Sequence, residues 1–113
     1  MKTVIRLVIR FACPLVVTAG SVVLLACSGK VASGKQVFQE QCGGCHNPDS
    51  SDTKVGPGLK GLFQHEKLIT SGKKVSEASI RAQIDDGGNG MPSFDQMLND
   101  NDKESLIAYL KTL

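Results

Sequence analysis

Large aromatic side chains are scarce in this sequence of 113 residues, which contains no tryptophan, one tyrosine and four phenylalanines. A small domain buries only a modest share of its surface, and it often needs a disulfide, a metal or a cofactor to fold stably. A large apolar cofactor would fill the core that the side chains leave incomplete. The composition therefore favours a domain built around a bound group.

Strand signals are also absent, since apolar and polar residues do not alternate over any useful length, and there are no repeats or low-complexity tracts. Three segments carry helix-start signals instead. Ser33 stands three residues before Gln36 in a capping-box pattern, while Ser76 and Asn99 are placed as N-caps of two further helices. A short helix at residues 59–64 is weakly indicated. We therefore predict an all-α domain whose helices are joined by glycine-rich loops.

The N-terminus has the pattern of an export signal. Three basic residues precede an uncharged apolar run of 16 residues, 11–26, slightly shorter than the roughly 18 to 20 residues of a spanning helix. The junction Leu-Leu-Ala-Cys at Cys27 resembles the lipobox of bacterial lipoproteins, in which the cysteine is lipidated and begins the mature chain. We predict a signal peptide at residues 1–26 and a protein exported to the periplasm or another extracytoplasmic compartment, held to a membrane by lipid. An uncleaved anchor helix is the alternative.

After the signal peptide, residues 27–32 are expected to form a short linker and residues 33–113 the folded domain. Only Cys42 and Cys45 belong to that domain, too few for a disulfide framework. Without residues 1–26, the remaining 87 residues carry ten Lys or Arg against eleven Asp or Glu, a formal net charge of −1. A charge so close to zero gives no reason to expect a nucleic-acid partner.

The sequence Cys-Gly-Gly-Cys-His at residues 42–46 carries the strongest chemical signal. On a helical turn Cys42 and Cys45 lie on one face, where two thiols can form thioethers with the two vinyl groups of one haem. The adjacent imidazole of His46 can then reach the iron, and the motif is typical of c-type haem attachment. A redox dithiol and a zinc site are the alternatives. A redox dithiol of this spacing is typically found in a βαβ unit, and a zinc site needs four ligands.

A haem iron bound by His46 has a sixth position to fill, for which the domain offers two methionines and a second histidine. Met91 is favoured, because it lies in a loop whose glycines let the backbone approach a flat ring closely. Met97 is interpreted as filling a gap in the core, and His65 as a solvated surface residue. For Met91 too, core filling is the alternative.

At these residues the sequence resembles the class I monohaem cytochromes c, and the resemblance extends over residues 33–113. Gly34 and Phe38 match the glycine and aromatic residue of the family's N-terminal helix. Leu106 and Tyr109 match the positions of the C-terminal helix that cross them. The resemblance implies the small cytochrome c fold, with crossing terminal helices and loops wrapped around one covalently attached haem.

The resemblance also implies roles for two loops. In Gly-Pro-Gly-Leu, residues 56–59, the carbonyl group of Pro57 would accept a hydrogen bond from Nδ1–H of the haem histidine and fix its orientation. In Gly-Met-Pro-Ser-Phe, residues 90–94, Met91 would be the axial ligand. The tryptophan that some members place against a haem propionate is missing here, so the propionate partners stay unassigned.

Ligation by histidine and methionine closes both axial positions of the iron to substrate and raises its reduction potential. With no catalytic constellation elsewhere, the expected function is single-electron transfer between redox proteins of a respiratory chain or with an extracytoplasmic oxidoreductase, rather than enzymatic catalysis. Two alternatives stay open: a haem domain or subunit of a larger oxidoreductase or peroxidase, and a haem-based gas sensor.

Charge is unevenly distributed along the domain. Residues 54–81 carry six bases against two acids, and residues 85–104 carry six acids against one base, local balances of +4 and −5. Two solvated faces that keep a small protein soluble are one interpretation. The other is an electric dipole that orients the protein toward a charged partner during encounter.

Overall fold

The computed structural model describes residues 20–113, with side chains from Ser28 onward. Three α-helices form its frame: α1 (Gly20–Val37), α2 (Glu77–Asp86) and α3 (Asp100–Leu110). A π-helical turn, Phe38–Cys42, continues α1, and a 3₁₀ turn spans Leu62–Gln64. Extended pairing in this part of the chain is limited to two isolated bridges. The all-α prediction is confirmed.

The first helix begins well before the predicted position. Residues 27–32, expected to be a linker, are helical, and the predicted start at Ser33 is wrong because α1 runs through it without a break. Contacts with α3 hold this extra stretch: Lys30 forms an ion pair of 2.8 Å with Glu104, and Val31 packs against the core. Most of the predicted signal peptide, residues 1–19, lies outside the described residues. No helix among residues 20–113 is both long and apolar enough to cross a membrane.

The crossing of α1 and α3 implied by the resemblance is present. Gly34 is buried against the backbone of α3, where an added Cβ would overlap the carbonyl oxygen of Ser105 and lie 2.9 Å from Cβ of Tyr109. One turn later the ring of Phe38 packs against Tyr109, with centroids 5.5 Å apart. Leu106 is 1% exposed at the same crossing. A side chain at position 34 would separate the two helices, so glycine is required there.

The predicted caps of the other two helices are confirmed. At the start of α2 the hydroxyl group of Ser76 accepts a hydrogen bond from the amide of Ser79, whose own hydroxyl accepts from the amide of Ser76. Gly87 ends this helix with a φ of 68°. At the start of α3 the side chain of Asn99 accepts from the amide of Asp102 at 3.0 Å. Each cap satisfies an amide that the helix itself leaves unpaired.

The inner faces of the helices meet in one apolar core with an unexpected charged member. Lys103, on α3, is only 4% exposed, although it stands in the acidic part of the sequence. Its ammonium group contacts Asp85, near the end of α2, and Asp95, in the loop that precedes α3. The apolar residues of this core are Phe38, Leu68, Ile80, Ile84, Phe94, Leu98, Leu106, Ile107, Tyr109 and Leu110.

Candidate haem site

The end of α1 presents the two cysteines and the histidine of the motif together. The π-helical turn closes at Cys42, and its carbonyl oxygen accepts hydrogen bonds from the amides of Cys45 and His46 at 3.0 and 2.9 Å. These bonds wind the motif into one tight turn. Cys42 is half-buried and Cys45 exposed, so one thiol lies deeper in the protein than the other.

The imidazole of His46 is held by the following loop. Its Nδ1 lies 2.8 Å from the carbonyl oxygen of Pro57, the contact that the family resemblance implied. Gly56 packs flat against the ring, since a Cβ there would lie 2.9 Å from Nδ1 and overlap the ring carbon beside it. The amide of Gly56 in turn donates to the carbonyl group of Cys45 at 2.8 Å. With Nδ1 donating to Pro57, Nε2 is the nitrogen left to ligate a metal.

Met91 reaches the site from a tight turn. Gly88 and Met91 exchange two backbone hydrogen bonds, of 2.9 and 3.1 Å, across Asn89 and Gly90. The φ angles of Asn89 and Gly90 are 52° and 88°, as in a type I′ turn, for which Asn-Gly is the preferred pair. The side chain of Asn89 donates to the carbonyl group of Thr70 at 3.2 Å, which ties the turn to the loop beside it.

The sulfur atom of Met91 has one polar neighbour. The amide nitrogen of Gln83, on α2, lies 3.9 Å from Sδ of Met91 and 2.7 Å from the carbonyl oxygen of Gly87. Gln83 therefore bridges the end of α2 and the methionine side chain. It was missed by sequence reasoning, although its place between the buried Ile80 and Ile84 put it on the inner edge of the predicted helix.

One cleft brings these groups together. Cys42, Cys45, His46 and Met91 all line it, and so does Gln83. Its remaining walls are mostly apolar: Phe38, Val55, Pro57, Leu59, Leu62, Ile80, Ile84, Pro92, Phe94, Leu106 and Leu110 are among them. Val55, another residue that lines the cleft, is 74% exposed, so its apolar side chain is available to contact a bound group. A flat apolar ring with a metal at its centre fits this set of residues.

The other candidate ligands lie outside the cleft. Met97 is 60% exposed, so its predicted role as core filler is wrong: Phe94 and Leu98 occupy the core on either side of it. His65 is exposed, as predicted, with Nε2 3.3 Å from the carbonyl oxygen of Lys60. Neither residue is among those that line the cleft. Of the sulfur and imidazole ligands considered, Met91 alone shares the cleft with the motif.

The two alternatives for the motif find no support in the geometry. Within residues 20–113 no group of three or more His, Cys, Asp or Glu side chains is arranged to hold a metal ion, as a zinc site requires. Burial, and secondarily the nearby Cys45, raises the pKa of the Cys42 thiol to about 11. A redox-active dithiol is typically made reactive by a lowered pKa, which is the opposite shift.

Comparison with known proteins identifies the family. The family model described as cytochrome c oxidase, cbb3-type, subunit III, matches residues 29–110. The chain belongs to the class I c-type cytochromes. This cytochrome is 32% identical to cytochrome c6 of a Synechocystis species over 108 residues, which span 93% of the chain and 86% of the relative. The resemblance inferred from the sequence is thereby confirmed.

Two further similarities agree with this assignment. Cytochrome c oxidase subunit 2 of Alkalihalophilus pseudofirmus is 35% identical over 86 residues, which span 71% of this cytochrome and 25% of the longer relative. Among solved structures, cytochrome c6 from the diatom Phaeodactylum tricornutum superposes with a TM-score of 0.58 at 27% identity. That superposition covers 73% of this chain and 91% of the diatom protein. The small cytochrome c fold is confirmed by this likeness.

Proposed function

We propose that this cytochrome carries one haem, bound covalently through thioethers to Cys42 and Cys45, with His46 and Met91 as the axial ligands of its iron. The observation that carries the proposal is that all four side chains line one apolar cleft. When bound, the haem supplies an iron atom that gains and loses a single electron. The protein supplies everything that fixes the position and the potential of that iron.

Pro57 and Gly56 prepare the histidine side of the cleft. The hydrogen bond from Nδ1 to the Pro57 carbonyl group holds the tautomer in which Nε2 has its lone pair available. Gly56 prevents the ring of His46 from tilting, because the glycine backbone lies directly against it. An imidazole held in this way needs little rearrangement when the charge on the iron changes.

Gln83 and the apolar walls set the conditions on the methionine side. The Gln83 amide orients Sδ of Met91, and the soft thioether stabilises ferrous over ferric iron. Apolar walls exclude water and disfavour the additional positive charge of the ferric state. Both effects raise the reduction potential. With His46 and Met91 both bound to the iron, no position would be left for a substrate, and the proposed function is electron transfer without bond making.

We further propose that the protein works outside the cytoplasm, with residues 1–26 as its signal peptide and Cys27 as a lipidated first residue. The basic and apolar pattern before Cys27 supports this proposal. Its partners would be other redox proteins of a respiratory chain. Support for such partners comes from the matched family and from one relative, both of which are named as subunits of cytochrome c oxidase.

Absorption spectroscopy of the purified membrane-bound protein tests the proposed haem site. Denaturation in alkaline pyridine should leave the haem attached to the protein and give the spectrum of a haem whose two vinyl groups are saturated. The ferric protein should show the weak band near the red end that accompanies histidine and methionine ligation. Rapid carbon monoxide binding by the unmodified ferrous protein would instead support an open sixth site, as in a gas sensor or a peroxidase.

A further inference from the structure

Lys103 is a buried lysine that forms ion pairs with two carboxylates. Its ammonium nitrogen lies 2.7 Å from Oδ1 of Asp85 and 3.2 Å from Oδ1 of Asp95. The backbone carbonyl oxygen of Asp95 lies 3.4 Å away. Both of these Asp95 oxygens accept hydrogen bonds from the ammonium group, and Asp85 Oδ1 is in ion-pair contact with it. Because a buried charge without partners is strongly unfavourable, the two carboxylates account for the burial of this side chain.

The two carboxylates stand on either side of Met91 in the sequence. Asp85 is near the end of α2, and Asp95 follows Met91 by four residues, so Lys103 ties both ends of the intervening segment to one point on α3. We call residues 86–94 the methionine loop. Its C-terminal end is further fixed by Phe94, whose amide donates to the carbonyl group of Ile84 at 3.0 Å.

The middle of the methionine loop is held at the protein surface by the Gly88–Met91 turn and by the hydrogen bond from Asn89 to Thr70. Gly88, Asn89 and Gly90 are exposed, and all three have positive φ angles. Glycine-rich backbone has a large conformational entropy when released, so an unfastened loop would open readily. Fastening the two ends lowers the fraction of molecules in which the loop, and Met91 with it, has moved away from the cleft.

We propose that Lys103 is a positioning residue for the axial ligand: by binding Asp85 and Asp95 together, it keeps the methionine loop closed and Sδ of Met91 against the iron. This proposal rests on the ligation by His46 and Met91 proposed above. Asp85, and less strongly Asp95, raises the pKa of Lys103, so the ammonium group stays charged at neutral pH. The pKa of Asp95 is lowered by Gln96 and Lys103, which keeps its carboxylate ionised.

Titration of the ferric haem-containing protein with imidazole tests this role. Imidazole binds the iron only when Met91 has left it, so its apparent affinity reports the fraction of open loops. The test variant is Lys103→Met. Lys111→Met is the matched control, because it removes a lysine from the same region and an ion pair with Glu77, but no contact with the methionine loop.

We expect Lys103→Met to bind imidazole about tenfold more tightly than the unmodified protein, within the range typical of coupling between two sites. The weak absorption band of Lys103→Met near the red end of the spectrum should lose intensity. Lys111→Met should have the same imidazole affinity and the same band as the unmodified protein. Amide hydrogen exchange should become faster at Met91 and Phe94 in Lys103→Met while the amides in the middle of α3 stay protected. Lys103→Arg, which keeps the charge, should restore part of the band.

Asp95→Asn provides a second variant if Lys103→Met does not fold, because the Asp95 side chain is 55% exposed and Lys103 keeps Asp85 as a partner. It should raise imidazole affinity in the same direction by a smaller factor. If these variants bind imidazole no more tightly than Lys111→Met does, while the unmodified protein shows the normal band, the proposed role of Lys103 is wrong. Ligation by Met91 would still stand in that case. Absence of the band from the unmodified protein would instead overturn ligation by Met91.

Discussion

Replacing Gly34 by alanine tests whether the close crossing of α1 and α3 is required for stability. An added Cβ would lie 2.9 Å from Cβ of Tyr109 and overlap the carbonyl oxygen of Ser105. Carbon atoms in contact are about 3.5–4.0 Å apart, so the two helices would have to separate by roughly 0.6–1.1 Å at Tyr109 and further at the carbonyl group. Backbone cannot rotate out of the way as a side chain can.

Two effects of the substitution oppose each other. Alanine is favoured over glycine inside a helix by about 1 kcal/mol. Overpacking typically destabilises by about 1–3 kcal/mol, and we take the upper end because the overlap involves the backbone of α3. The expected net loss is therefore about 2 kcal/mol in the free energy of unfolding. For a domain of this size it corresponds to a fall of about 8–16 °C in the melting temperature.

Gly29→Ala is the matched control, because Gly29 lies in the same helix with no other atoms within 4 Å of the added Cβ. It should be neutral or raise stability by up to about 1 kcal/mol. Urea unfolding of the two haem-containing variants, followed by circular dichroism, gives both values. If Gly34→Ala proves as stable as Gly29→Ala, then the crossing is looser than the geometry implies and glycine is not required at position 34.

Three other predictions concern the haem, the anchor and the partner. Met91→Ala should open the sixth position of the iron, lower the reduction potential and let the ferrous protein bind carbon monoxide. Met97→Ala, at an exposed position, should leave the absorption spectrum unchanged. Equal spectral effects of the two substitutions would refute the assignment of Met91. Cys27→Ser should abolish lipidation, which intact-mass measurement of the mature protein detects; a mature chain that still begins at the unmodified initiator methionine would exclude a cleaved lipoprotein. Reversing the exposed Lys73 and Lys74 to glutamate should change how the rate of electron transfer with the natural partner depends on salt, more than it changes the potential. A rate of the unmodified protein that stays flat from low to physiological ionic strength would show that charge there serves only solubility.

Local signals in the sequence predicted α2 and α3 well, because their caps at Ser76 and Asn99 involve residues only three positions apart. The same kind of signal failed at Ser33. There a helix that already runs from Gly20 is held by contacts with α3, and a residue that can begin a helix can also lie inside one. Propensity is a weak guide where tertiary contacts extend an element.

Other features depend on residues that meet only in the folded chain. Met97 was assigned to the core because methionine often fills gaps there, but the turn after Phe94 directs Leu98 inward and leaves Met97 outside. The burial of Lys103 had no local signal, since it follows from two carboxylates on other elements. The motif at residues 42–46 was predictable because its chemistry is contained in five consecutive residues.

Because α1 is one continuous helix, it limits how far the haem-binding domain can move from a lipid attached to Cys27. If Cys27 carries the proposed lipid, a flexible linker over residues 27–32 would let the domain swing around a tether with an r.m.s. reach of about 13 Å. These residues are instead helical, and the helix rises about 1.5 Å per residue. It contacts α3 from Lys30 onward. Two residues, Ser28 and Gly29, then separate Cys27 from the first contact with α3. The domain would then stay close to the bilayer surface, and would find its partners by lateral diffusion in the plane of the membrane.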